Sequence, residues 1–169
     1  MRARLLSMVT AMLALSACAV QKPYVITTKF DPAEVAWSTK PGTASIHGQA
    51  FMKTVGGDVK TCAGNEVDLI PFNSYVTEQQ DAVHHGLTWG GFSYLDPARK
   101  VAWRTTRCNA QGDFVFSNIP AGHWLIETTA TWGAVGQGWI GPEIQRQGGV
   151  LNQEATLSAD EHKDMVLSR

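Results

Sequence analysis

Long apolar runs are missing from this 169-residue chain. None reaches the roughly 18 residues of a membrane-spanning helix, so no transmembrane segment is predicted. Charge is also scarce: Asp, Glu, Lys and Arg make up 17% of the residues and sum to a formal −1. That balance lacks the basic stripe of a nucleic-acid-binding surface, and nucleic acid is excluded as an expected partner. Six Trp, six Phe and three Tyr at such low charge are the opposite of a disordered composition. Only three cysteines occur and none forms a C-x-x-C, which removes the redox motif and the short-spaced zinc pair. Long stretches of helical periodicity are absent too, so a sheet with helical crossovers has no support.

What is present begins at the N-terminus. Arg2 and Arg4 precede a short, mostly apolar stretch over residues 5–15, and Leu15-Ser16-Ala17 places small residues before Cys18. This is the plan of a secretory signal. Leu-Ser-Ala-Cys also resembles the lipobox of bacterial lipoproteins. The resemblance implies that residues 1–17 are removed, that the Cys18 thiol receives a diacylglyceryl group and that its new amine is acylated, palmitate being a typical acyl group. Ala19, rather than Asp, resembles the sorting signal for the outer membrane. The expected location is therefore the cell envelope, lipid-anchored, at the periplasmic face of the outer membrane. Loss of Arg2 and Arg4 would take the formal charge to −3. Such a protein has no electrostatic pull toward anionic lipid, so the acyl chains must hold it to the membrane.

Cys62 and Cys108 would then be the remaining thiols. In an oxidising compartment two such residues in a compact domain form a structural disulfide, the preferred reading over a zinc or redox pair. Closing a loop of that size is worth roughly 4 kcal/mol in the chain-entropy description.

Residues 18–40 read as the lipidated Cys and a tether with one short helix, since Asp31-Pro32-Ala33-Glu34 supplies an N-cap, a Pro at the first helical position and an acid at the third. Pro41-Gly42 ends it. Residues 41–169 form the domain. Ala44, Ile46, Gly48, Ala50 and Met52 alternate with Ser45, His47, Gln49 and Lys53, the period of a half-buried strand with the even positions inward. Further strands are expected at residues 60–62, 66–72, 101–108, 114–116, 123–132, 149–157 and 162–167. A helix of about two turns is expected from Thr77-Glu78-Gln79-Gln80 to Gly86. Residues between 132 and 149 read as a glycine-rich loop. The result is a single all-β domain, an antiparallel β-sandwich of about seven strands with a short helical insert.

Asn109 to Ala130, NAQGDFVFSNIPAGHWLIETTA, resembles a recurrent segment of carboxypeptidase regulatory-like domains. Gly112, the aromatic strand Phe114-Val115-Phe116, the turn Asn118-Ile119-Pro120-Ala121-Gly122 and the long strand after it follow in that family's order. PGTASIHGQAF, from Pro41, is similar to the family's first strand. The resemblance implies a transthyretin-like sandwich and says little of function, because that fold carries many roles.

Catalytic signatures fail one by one. No His is followed at the third position by Glu, and Ser93 lacks the second Gly of a nucleophile elbow. Gly136 to Gly141 matches G-x-G-x-x-G, but Pro142 follows where a dinucleotide site needs a helix. Glu78, Asp81, His84 and His85 form the one acidic/His cluster, and adjacent histidines on a helix diverge by about 100°. A solvated helix face is the preferred reading, so no metal, cofactor or catalytic residue is assigned. Trp89, Phe92, Tyr94, Trp103, Trp132 and Trp139 are the candidate binding residues, since rings on sandwich loops stack on sugars or anchor partners. The expected function is a non-catalytic, lipid-anchored structural or protein-partner-binding module of the envelope. The alternative is a glycan-binding lipoprotein using loop Trp residues, and a small metal-dependent enzyme stands third.

Overall fold

The computed structural model describes residues 22–87 and 91–169. Cys18 and Trp89 lie outside them. Eight strands form two four-stranded sheets, the sandwich expected from the alternation. In the first sheet, β1 (Ala44–Lys53) pairs along one edge with β8 (His162–Ser168), the two running parallel. Its other edge takes β5 (Asp113–Ile119) and then β2 (Val59–Thr61), both antiparallel. The second sheet has the order β4-β3-β6-β7, with β3 at Glu66–Pro71, β4 at Arg104–Arg107, β6 at Gly122–Gln137 and β7 at Pro142–Leu157.

The core lies between the sheets because period-2 alternation turns one face of each strand inward. Ala44, Ile46, Ala50 and Met52 of β1 meet Val67, Leu69, Trp124, Ile126 and Leu151 there. A Cβ on Gly48 would overlap the Phe114 ring, so that position accepts only glycine without rearrangement. Ser45 departs from its expected exposure: its hydroxyl bonds His162 Nδ1 at 2.7 Å on the neighbouring strand and is covered by it. Cys62 and Cys108 are disulfide-bonded, with their Cα atoms 5.8 Å apart, and both are buried in this core. At the Asn118 to Gly122 reversal, Asn118 itself adopts φ 56°, a left-handed conformation that Asn tolerates.

Three local expectations are corrected. Helix α2 spans Ser74–His84, starting three residues before the predicted cap; α1 is Pro32–Val35, as read from its Asp-Pro start. Asn73 Oδ1 accepts from Val76 N at 2.8 Å and caps α2, while Thr77 donates its hydroxyl to the Asn73 carbonyl. The strand predicted over residues 101–108 is confined to β4. Asp96 caps Ala98 N and Pro97 fixes φ, which winds Pro97–Ala102 into a 3₁₀ helix instead. The predicted glycine-rich loop after Trp132 is a two-stranded ribbon. β6 and β7 stay paired without interruption from Gly122↔Leu157 to Gln137↔Pro142.

The outer face of the second sheet is covered at one end only. Ile70, Leu125 and Val76 of α2 form a small second cluster with Phe72 and Trp103. The N-terminal segment is tied to α2 through Glu78, which accepts from Thr27 N, Thr28 N and the Tyr24 hydroxyl at 2.7–3.0 Å.

Candidate functional site

Next to that cover, the outer face of the second sheet opens into a polar trough of about 400 Å³. Its floor comes from two strands in register: Asp68 of β3 stands directly opposite Glu127 of β6. Side chains so paired lie on one face about 5 Å apart at Cβ. Thr105 of β4 donates its hydroxyl to Asp68 Oδ1 at 2.7 Å, fixing that carboxylate. Arg107 pairs with Glu66 at 3.1 Å and also donates to the Gly64 carbonyl, forming one rim. Asn65, whose amide donates to the Thr129 carbonyl at 2.9 Å, and Thr129 form the other. Burial raises the Glu127 pKa above the usual carboxylate value, and the neighbouring Asp68 charge adds to the rise, while Arg99 opposes it.

Glu127 also lines a second, smaller cavity of about 80 Å³, shared with Trp103, Arg99 and Gln79. Arg99 Nε is buried there without a hydrogen-bond partner among the described residues, while its Nη1 donates to the Asp96 carbonyl at 3.1 Å. Arg99 and Lys100 both place their charge over the Trp103 ring, 5.4 and 5.2 Å from its centroid. One carboxyl group thus joins an open polar surface to a cavity walled by an indole and a guanidinium.

The predicted aromatic residues do not converge. Phe92 makes an edge-to-face pair with Tyr24 at 6.1 Å. Tyr94 is exposed beside a separate depression with Tyr75 and Asp96. Trp132 packs against the sandwich core, and Trp139 is fully exposed at the tip of the β6–β7 ribbon. None of the described five lines the trough, and Trp103 lines the small cavity that shares Glu127 with it. No groove among the described residues presents parallel Trp rings. Asp81, His84 and His85 are exposed on α2 and at its C-cap, and the described residues contain no group of three His, Cys, Asp or Glu able to hold a metal.

Sequence reading missed Asp68, Thr105, Arg107 and Glu127. The alternation over residues 123–132 does set Glu127 and Thr129 on the face opposite Trp124 and Ile126. Their partner across the sheet depends on register, which no local pattern gives.

No family model matches the chain, and no curated relative matches it either. The chain is similar to the crystal structure of a "putative carbohydrate binding protein" from Pseudomonas aeruginosa. The TM-score is 0.70 at 23% identity, covering 84% of this chain and 99% of that one. A likeness at that identity shows a shared fold, here the all-β sandwich.

Proposed function

We propose that the protein is a non-catalytic, lipid-anchored binding module of the bacterial envelope whose trough takes a glycan. The observation carrying the glycan reading is the register pair Asp68–Glu127 flooring a cavity rimmed by Arg107, Asn65 and Thr129. Sugar hydroxyls donate and accept at once, and carboxylates, amides and guanidinium groups offer matched partners for them. A concave site with a few convergent polar groups suits such a ligand. The Pseudomonas aeruginosa neighbour's description points in the same direction. This moves the glycan reading from loop Trp residues to the sheet surface. Anchoring rests on Cys18 and the signal-like residues before it.

A panel of envelope oligosaccharides titrated into the protein, read by amide NMR, tests the ligand. Saturable shifts at Asp68, Thr105, Arg107 and Thr129 are expected, and Asp68→Ala with Arg107→Ala should abolish them. Absence of any saturable shift would leave the protein-partner-binding role as the reading, and release of reducing ends would make the protein an enzyme. Mass spectrometry of membrane-extracted protein tests the anchor, with an acylated Cys18 as the expected N-terminus. An unmodified N-terminus at another residue would remove it.

A further inference from the structure

Past Trp132, which still packs against the core, the β6–β7 ribbon leaves the sandwich and continues as an arm. From Gly133 to Gln137 it extends about 14 Å at the usual strand rise. Gly138-Trp139-Ile140-Gly141 caps it, closed by a bond from Gly138 N to the Gly141 carbonyl at 2.8 Å. Trp139 and Ile140 are 101% and 97% exposed. Just below them Val135 and Ile144 face each other across the ladder, 80% and 77% exposed. No charged residue occurs between Glu127 and Glu143.

We infer that the tip of this arm enters the interfacial layer of the bilayer that holds the protein's own acyl chains. The inference rests on the anchoring proposed above. Cys18 stands six residues before Tyr24, whose hydroxyl is bonded to Glu78 at 3.0 Å. A chain spans at most about 3.5 Å per residue, so the acylated end lies within about 21 Å of that fixed point. A bilayer held that close turns a weak apolar contact into a populated one, through effective concentration.

The chemistry of the tip fits lipid better than protein. An uncharged stretch pays no charge desolvation on entering the interface. The indole of Trp139 suits the headgroup level and Ile140 the acyl boundary beneath it. Glu143 is the one charged side chain lining the depression at the tip with Trp139 and Ile140, where protein–protein contacts are ringed by a polar rim. With a formal charge of −3 after loss of Arg2 and Arg4, the occupant is an uncharged rather than an anionic lipid surface.

The test uses the full acylated protein in phosphatidylcholine vesicles whose acyl chains carry bromine near the headgroup. Bromine quenches tryptophan emission at short range. Wild-type emission should be quenched, and Trp139→Ser should lose at least about half of that quenching while unfolding at the same denaturant concentration. Ile140→Ser, which keeps every indole, should weaken it as well. Equal quenching in wild type and Trp139→Ser, with Cys18 shown acylated, overturns the inference and leaves the anchor standing. An arm-to-arm crosslink through Trp139→Cys in the vesicles would name a second copy as the occupant and overturn it too. Trp139-dependent quenching in a protein found unacylated would overturn the anchor but retain the arm as a membrane contact.

Discussion

Strands β6 and β7 keep one ladder over sixteen residues each, yet the side chains along it form two populations. Over residues 122–130 they include Trp124, Ile126 and Ala130, all at 0% exposure and enclosed by the first sheet. Over residues 133–137, past the core-packed Trp132, they are Gly133, Ala134, Val135, Gly136 and Gln137, and nothing described covers Val135. The hydrogen bonds are the same in kind. An isolated two-stranded hairpin is marginal in water, so the arm draws its order from the half that is packed. Backbone pairing sets the shape of both halves, and apolar burial supplies the stability of one.

A buried carboxylate should separate the halves most sharply. Ile46→Asp places a charge at a wholly buried site and should unfold the domain or raise that carboxyl pKa strongly. Val135→Asp on the arm and His47→Asp on the exposed face of β1 should each change stability by no more than about 0.5 kcal/mol. The paired aromatic test is Trp124→Ala against Trp139→Ala. Trp124 stacks edge-on with Trp37 at 5.0 Å and donates to the Pro120 carbonyl, so its loss should cost about 3–5 kcal/mol. Trp139→Ala should leave denaturant unfolding unchanged. Equal losses in either pair would mean that the arm is packed against something.

The disulfide belongs to the packed half of the comparison. Replacing Cys62 or Cys108 should cost about 2–5 kcal/mol, read as a shift in unfolding midpoint between the oxidised protein and each variant. Two free thiols titrating in the denatured, unreduced protein would refute the pairing.

How much of this was written in the chain differs between the same two regions. Ala44 to Met52 and Trp124 to Trp132 announce their buried faces because a core demands large or apolar residues at every second position. The arm has no core and therefore no such demand. Gly133, Gly136 and Gly138 broke the pattern, and the segment read as a loop although its ladder is continuous. The trough escaped for another reason. Asp68 and Glu127 are 59 positions apart and meet only through the register of β3 on β6. The disulfide was readable because cysteine chemistry restricts the choices, whereas Asp and Glu are ordinary on any outward face.

Glycine gives a smaller and finer contrast. Gly48→Ala drives a methyl into the buried Phe114 ring, an overpacking worth about 1–3 kcal/mol. At Gly133 the added Cβ would come within 2.8 Å of Ile144 Cγ2, the end of an exposed side chain that can rotate away. Gly133→Ala should therefore stay within about 0.5 kcal/mol, or stabilise slightly by stiffening the unfolded chain. Thermal unfolding of both variants measures the difference.

The smallest effect concerns the other appendage, the N-terminal segment, held to α2 by the Glu78 carboxylate and to Gly91 and Ser93 by the Tyr24 backbone. The Thr27 backbone N–H, helped by Thr28 and the Thr27 hydroxyl, lowers the Glu78 pKa from 4.5 to about 2. A carboxyl lowered on folding contributes stability above its unfolded value and loses it as the pH falls through the folded one. The tie should thus be intact above pH 4.5 and weaken between 4.5 and about 2. Amide NMR should show Thr27 N–H and Thr28 N–H moving together in that window, while the amides of β6 and β7 in the arm hold still. Glu161, lowered chiefly by the Ser158 N–H, will titrate at the β7–β8 turn and needs separate resonances to be told apart. Glu78→Gln should release the segment at neutral pH without altering the sandwich. Thr27 and Thr28 signals that stay fixed through pH 2, or that survive Glu78→Gln unchanged, would show that the Tyr24 backbone bonds to Gly91 and Ser93, with the Phe92 ring, hold the segment instead.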